Sequence, residues 1–166
     1  MAIYYGDGSN SSSGRIIQVQ SQTQDAYWTT TSSSFTDISG LSVSITPNES
    51  ASKILVLWGV QYCSDNGGSR MAIRLLRGSS AIAIGQQRSA RVQATGSSET
   101  AGGGGNMKCC SGQHLDSPST TSATTYKFQA ACIDGSIFKL NSSVNDSNIS
   151  SYANVASFIT VMEVAQ

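Results

Sequence analysis

The chain has 166 residues, which suits a single domain with one hydrophobic core. Lysine plus arginine and aspartate plus glutamate each number 10, so the formal net charge is zero, and only 12% of residues are charged. Nucleic acids and anionic membranes both attract clustered basic side chains, so this composition argues against either as a partner.

The N-terminal segment, residues 1–14, has the composition of an arm attached to a domain. It lacks the basic start and apolar core of a signal peptide, so we expect synthesis in a host cytoplasm without secretion. Ile3, Tyr4 and Tyr5 form a short apolar hook, and the Gly/Ser/Asn-rich spacer after them is typical of a flexible tether. We predict an assembly arm that docks through these three residues; a frayed terminus is the alternative.

Apolar and polar residues alternate with the period of β-strands throughout residues 15–166, and no segment shows helical periodicity over helical length. Turn-forming residues separate these segments at intervals typical of a sandwich. The pattern predicts one all-β domain, an antiparallel, jelly-roll-like β-sandwich of about eight or nine strands. The predicted strands are residues 15–21, 41–45, 53–62, 71–77, 81–85, 88–95, 125–133, 137–141 and 157–164.

Two of these segments carry apolar residues on both faces. In residues 53–62, Leu55 and Leu57 lie opposite a face of larger apolar residues, which predicts a central strand covered on both sides. In residues 157–164, Phe158 and Met162 alternate with Ile159 and Val161, and we expect this strand to be central as well.

Two glycine-containing turns predict hairpins. Gly78-Ser79-Ser80 would join residues 71–77 to 81–85, and Asp134-Gly135 would join residues 125–133 to 137–141. Residues 95–106, TGSSETAGGGGN, are of low complexity and are expected to form an exposed loop or to be held by a neighbouring subunit.

The four cysteines, Cys63, Cys109, Cys110 and Cys132, match no zinc module, because there is no C-x-x-C and His114 is the only histidine. A metal site made of Cys109, Cys110, His114 and Cys63 is the less favoured alternative. A reduced cysteine packs as a small hydrophobic residue, and adjacent cysteines in an extended segment point to opposite faces. We therefore expect at most one of the adjacent pair in the core, with no metal and no cofactor.

Catalytic chemistry has little support in the sequence. His114 lies in the polar stretch 113–116, where we expect a loop, and no serine occupies a G-x-S-x-G elbow. Gly102–Gly105 lacks the Lys-Ser/Thr of a phosphate-binding loop, and Asp134-Gly135 is explained as a turn. We predict that there are no catalytic residues and that the protein is not an enzyme; a carbohydrate-active enzyme is the third hypothesis.

Three sequence blocks resemble small virion proteins of tailed phages, including phages that infect cyanobacteria. They are Gly6-Asp7-Gly8 with Gly14-Arg15-Ile16-Ile17-Gln18-Val19, the segment SFTDISGLSVSITP at residues 34–47, and Ser52-Lys53-Ile54-Leu55-Val56. The resemblance is best over residues 6–62 and thin over residues 63–122. It implies a trimeric β-sandwich that serves as a capsid decoration (cement) protein, or as the distal knob of a tail fibre or tailspike.

The leading hypothesis is a homotrimer bound to the major capsid protein on the outer capsid surface of the virion. The chain favours it because one domain and a short arm account for its whole length, without a fibrous shaft. The alternative is a receptor-binding knob that recognises host surface glycans. Tyr27, Trp28 and Tyr152 could stack on sugar rings, although such aromatics more often cap sandwich cores.

Overall fold

The computed structural model describes residues 14–65, 69–99, 107–143, 150 and 153–166. These residues contain eleven β-strands and no helix. The strands are β1 (Ile16–Gln24), β2 (Trp28–Thr30), β3 (Thr36–Ile45), β4 (Lys53–Ser64), β5 (Arg70–Arg77), β6 (Ser80–Ile82), β7 (Gly96–Glu99), β8 (Lys108–Asp116), β9 (Thr124–Cys132), β10 (Phe138–Leu140) and β11 (Ser157–Val164). No helix in this described part is long and apolar enough to span a membrane.

The strands form two antiparallel sheets. The first sheet runs β1-β11-β4-β8, and β10 and β2 extend it beside the far end of β4. The second sheet runs β3-β9-β5, and the other edge of β5 pairs with β6 at one end and β7 at the other. Eight main strands remain when the short strands β2 and β10 are left out and β6 and β7 are counted as one interrupted strand. Among them the first pairs with the last (β1 with β11), the second with the seventh (β3 with β9), the third with the sixth (β4 with β8) and the fourth with the fifth (β5 with β6 and β7). This is the strand order of a jelly roll, and the predicted fold class is confirmed.

The core lies between the two sheets and is built mainly from alternate residues of β3, β4, β5, β9 and β11, together with Phe138 and Leu140 of β10. Trp58 of β4 packs against Phe128 of β9 across the sandwich, with 5.7 Å between ring centroids. Tyr62 stacks on Phe138 within the first sheet at 5.2 Å. The largest fully buried side chains include Tyr126, Phe128, Phe138, Leu41, Ile54, Met71, Ile73, Leu75, Leu140 and Ile159.

The central positions predicted for residues 53–62 and 157–164 are confirmed, since β4 lies between β11 and β8, and β11 lies between β1 and β4. The predicted cover over the second face of β4 is absent among the described residues. Leu55 and Leu57 are only half-buried there. The apolar residues on that side of β4 therefore belong to an outer face of the sandwich.

The strand predicted over residues 88–95 is wrong. Ser89 adopts a positive φ of 49°, and the backbone N–H of Arg91 donates to the carbonyl of Arg88 at 3.1 Å. The side-chain amide of Gln87 also donates to the carbonyls of Ser89 and Arg91. These local hydrogen bonds replace a ladder, so the chain forms a turn here and continues as a loop to β7.

The hairpin predicted at Gly78-Ser79-Ser80 is confirmed, because β5 and β6 pair directly from Arg77 to Ser80. The second predicted hairpin is wrong. Gly135 does turn the chain, with a φ of 81°, but the turn carries it from β9 in the second sheet to β10 in the first. The inward-facing Phe138 then pairs with β4, so turn chemistry predicted the reversal but not the partner strand.

Residues 113–116 were expected to form a loop and instead end β8, which pairs with β4 from Ile54–Asp116 to Tyr62–Lys108. The strand is polar because it lies at the edge of the sheet. Gly112 marks its close packing: a Cβ there would lie 2.7 Å from the indole of Trp58. Of the predicted Gly-rich loop, Gly96–Glu99 forms β7, and residues 100–106 lie outside the described residues.

Candidate assembly surface

The outward face of the second sheet carries a network of paired polar side chains across β3, β9 and the middle of β5, although Ala72, Leu76 and Ala131 on the same side are buried. Asp37 accepts hydrogen bonds from Lys127 and Gln129, both at 2.6 Å, and these bonds lower its pKa. Arg74 donates to Gln129 at 2.8 Å, and its guanidinium lies 4.1 Å from the ring centre of Phe35. This is the chemistry of a sheet face that contacts water.

The outward face of the first sheet has the opposite character. Its cross-strand register aligns Val19, Met162, Leu55 and Leu115 in one row across β1, β11, β4 and β8. All four side chains are apolar. The two at the ends of the row, Val19 and Leu115, are each 49% exposed.

Neighbouring rows extend this surface in both directions along the strands. On one side of the row, Ile16 pairs with Val164. On the other side, Leu57 is the outward residue of β4 that follows Leu55. Phe158 is 43% exposed and covers Gly59, where a Cβ would lie 2.6 Å from its ring. We call the following eight residues the apolar face: Ile16, Val19, Leu55, Leu57, Leu115, Phe158, Met162 and Val164.

The apolar face is large and almost uncharged. Lys53 is the only charged residue at the outward positions of its four strands. At standard strand spacing and rise, four strands over seven residues cover roughly 450 Å² in projection, an area that also includes polar outward positions such as Ser21, Thr160 and Gln113. Apart from Tyr27 and Val92, every exposed large apolar side chain of the described residues belongs to this face. The largest apolar patch on a monomeric domain is typically about 300–600 Å² and is often an interaction site.

The root of the predicted arm lies at one end of the apolar face. The backbone N–H of Gly14 donates to the carbonyl of Ala165 at 2.7 Å, and the N–H of Ala165 donates to the carbonyl of Arg15 at 2.9 Å. The chain therefore enters β1 at a position fixed against the end of β11. The predicted docking residues Ile3, Tyr4 and Tyr5 lie outside the described residues.

A buried carboxylate fixes the strands that carry this end of the face. Glu163 of β11 is fully buried and accepts hydrogen bonds from Gln18 of β1 at 2.5 Å and from the N–H of Asn48 at 2.8 Å. Gln18 also donates to the carbonyl of Thr46. Burial alone would raise the pKa of Glu163, but the hydrogen bonds outweigh it and lower the pKa below its ordinary value. These bonds join β1, β11 and the β3–β4 connection.

A second buried carboxylate holds the edge strand β8 against the other sheet. Asp116, at the end of β8, accepts hydrogen bonds from Arg77 of β5 at 2.9 Å and from the hydroxyl of Tyr126 of β9 at 2.7 Å. Burial, and then the bond to Asp116, raise the pKa of Tyr126. The group couples the two sheets close to Leu115.

The cysteines and the histidine are dispersed. Cys63 donates to the carbonyl of Ser142 at 2.8 Å, and Cys132 contacts Asp134. Cys110 packs against the core, where burial raises its pKa, while Cys109 points outward, as expected for adjacent residues of a strand. His114 is half-buried in β8. Across the described chain, no group of three His, Cys, Asp or Glu side chains could hold a metal ion.

Two shallow pockets lie away from the apolar face. One of about 390 Å³ is lined in part by Arg70, Arg91 and Glu99, and the first and last of these form an ion pair at 3.5 Å. The other, of about 330 Å³, lies beside Arg77 and Pro118. Neither is lined by an aromatic side chain, so neither offers a stacking platform for a sugar ring.

The aromatic residues that could stack on sugar rings differ in their exposure. Tyr27 is exposed, whereas Trp28 is half-buried and packs edge-on against Phe138 with ring centroids 6.1 Å apart. Tyr152 lies outside the described residues.

No protein-family model and no curated protein matches the chain. Among solved structures, it is similar to that of infectious bursal disease virus Gx strain, with 13% identity and a TM-score of 0.43 over 99% of this chain and 41% of the viral chain. The corresponding values for the Gt strain are 11%, 0.40, 99% and 42%. The chain thus spans about two fifths of these viral chains. A likeness this distant carries no conclusion about function.

Proposed function

We propose that this protein is a virion structural protein of a tailed phage, a homotrimeric decoration (cement) protein bound to the major capsid protein on the outer capsid surface. The observation that carries the proposal is the unequal chemistry of the two outer faces. A jelly roll with one face of paired polar groups and one face that exposes a cluster of apolar side chains is suited to assembly with other protein subunits. No catalytic residue, metal or cofactor has a part in this function.

The charge balance and the arm support a capsid location. Equal numbers of acidic and basic residues, and few of either, mean that contacts with a shell would rest on apolar burial and neutral hydrogen bonds. The sequence blocks that resemble phage virion proteins include the strand that follows the arm. An arm that leaves the sandwich at Gly14 could reach a neighbouring subunit while the domain stays outside the shell.

The proposal is tested by mixing the purified protein with undecorated capsids of the parent phage and sedimenting the particles. We expect saturable binding and a copy number in fixed ratio to the major capsid protein. Because the contacts are largely uncharged, the affinity should change little between low and high salt. Failure to bind capsids, or a copy number matching one structure at the tail, would contradict the decoration function.

The alternative function, a receptor-binding knob of a tail fibre, has weaker support. Its best observation is the exposed ring of Tyr27 near the start of β2. Binding to purified host polysaccharide by the wild type, lost in Tyr27→Ala and unaccompanied by binding to capsids, would favour this alternative over decoration.

A further inference from the structure

We propose that the apolar face is the contact surface between copies of this chain, and that its occupant is a second copy. The inference deepens the proposed function and rests on its homotrimer, because it assigns the surface through which the subunits associate. The oligomer can be measured without capsids, so this assignment and the capsid location can fail separately.

Electrostatics favours a second copy as the occupant. A surface can meet another copy of the same chain only if the facing charges do not repel, and the apolar face contributes only Lys53 at its rim. The chain as a whole has zero formal net charge, so two copies also experience little long-range repulsion. The charged network around Asp37 lies on the opposite side of the sandwich, where a contact with another subunit would have to bury ions.

The composition of the surface is also that of a subunit contact, and its area is a large part of one. A stable interface buries about 800 Å² on each partner, with an apolar centre and a polar rim. The apolar face supplies roughly 450 Å² in projection. The polar outward positions next to it, Ser21, Thr23, Ser111 and Gln113, provide the rim. These polar positions are already counted in that area, which is a little over half of what a stable interface buries on each partner.

The ends of the central row identify the substitutions that test the assignment. Val19 lies on the edge strand β1 and Leu115 on the edge strand β8, and each is 49% exposed, so a lysine at either position can reach water in an isolated subunit. Within a contact between subunits, the same lysine would be desolvated without a partner. Val92 provides a matched control, because it is also 49% exposed but lies in the loop between β6 and β7.

The experiment compares wild type, V19K, L115K, the double variant V19K/L115K and V92K by sedimentation velocity and light scattering over a range of protein concentrations. We expect a self-associated wild type, a trimer where each apolar face is shared between two neighbours about a threefold axis and a dimer where two faces meet directly, and V92K should retain it. Each single substitution on the face should weaken association at least tenfold, and the double variant should be monomeric. Circular dichroism and thermal unfolding establish that every variant keeps the β-sandwich.

Two outcomes would overturn the assignment. The first is a folded double variant that associates as tightly as wild type, which would place the contact elsewhere. The second is a wild-type monomer at high micromolar concentration; if deleting residues 1–13 then induces association, the arm of the same chain is the occupant. Wild-type trimers that ignore capsids would contradict the decoration function while leaving this contact intact.

Discussion

Glu163 is an acidic side chain at an inward-facing position of β11, on the same side of the strand as Ile159 and Val161. An isolated buried carboxylate would be strongly unfavourable in its ionised form. Here donors from Gln18 and the backbone of the β3–β4 connection surround it, so that the ionised form is the one the fold stabilises. The residue is therefore a structural anchor whose contribution depends on pH.

We predict that E163Q destabilises the fold at neutral pH by about 1–3 kcal/mol, because the amide replaces an acceptor oxygen with a donor that faces other donors. The ordinary pKa of the carboxyl is 4.5, and its pKa in the folded state is lower. A group with a depressed folded-state pKa contributes stability above the unfolded value, and this is lost as pH falls through the folded value. The difference between wild type and E163Q should therefore be largest near pH 7 and shrink below about pH 4.5.

Urea unfolding of both proteins between acidic and neutral pH measures this difference. D37N serves as the control, since Asp37 also has a lowered pKa but is exposed, and its ion pair with Lys127 is screened by solvent. Its effect on the free energy of unfolding should be smaller than that of E163Q. A difference for E163Q that stays constant with pH would show that folding does not lower the pKa of Glu163.

At the scale of the strand, two glycines of the first sheet sit beneath aromatic rings on opposite faces. Gly112 of β8 leaves room for Trp58, which is buried and packs against Phe128 in the core. Gly59 of β4 leaves room for Phe158, whose ring is half-exposed on the apolar face. An added methyl group therefore meets a fixed ring at one position and a displaceable ring at the other.

We predict that G112A lowers the free energy of unfolding by about 1–3 kcal/mol, since the indole of Trp58 cannot move without disturbing the core. G59A should cost less than 1 kcal/mol, because the ring of Phe158 can turn outward and alanine is otherwise better suited than glycine to a strand interior. Denaturant unfolding of the two variants measures both effects. Equal destabilisation would mean that the ring of Phe158 is as tightly held as that of Trp58.

Most of the strands predicted from the sequence are those whose own apolar residues are buried in the core. β3, β4, β5, β9 and β11 carry inward apolar residues at period two, and each was predicted to within a few residues, apart from the first half of β3. β1 is the exception: its alternation predicted the strand, but Ile16 and Val19 face outward and its inward positions are glutamines. β8 was missed because an edge strand needs few apolar residues. The interior beneath its middle is filled by Trp58 of a neighbouring strand, which requires Gly112 rather than a large side chain. That requirement comes from the tertiary structure and leaves no local pattern.

The apolar face was only half visible in the sequence. Leu55 and Leu57 show that this strand is apolar on both faces. That pattern fits a central strand covered within the domain as well as it fits a strand at an interface between subunits. The distinction depends on register, because Val19 and Leu115 come from distant parts of the chain and align with Leu55 only once the sheet is formed. The pairing of β10 with β4 depended on tertiary structure in the same way.

At the scale of the whole molecule, the domain and the arm are expected to perform separable tasks. The sandwich is closed by its own core, and the hydrogen bonds of Gly14 and Arg15 to Ala165 fix the point at which the arm begins. The apolar face is built entirely from strands of the domain. Removing the arm should therefore leave both the fold and the contact between subunits unchanged, and should act only on binding to the particle.

We predict that deletion of residues 1–13 abolishes binding to capsids while the protein remains a folded oligomer with the thermal stability of wild type. A variant of full length, Ile3→Ser with Tyr4→Ser and Tyr5→Ser, separates the apolar hook from mere arm length. If the hook docks, this triple variant should lose binding as the deletion does, because burial of one isoleucine and two tyrosines supplies several kcal/mol. Cosedimentation with capsids measures binding, and light scattering measures the oligomeric state on the same samples.

Full occupancy of capsids by either variant would show that the arm is not needed for binding. Loss of the oligomer on deletion would show that the arm also joins the subunits.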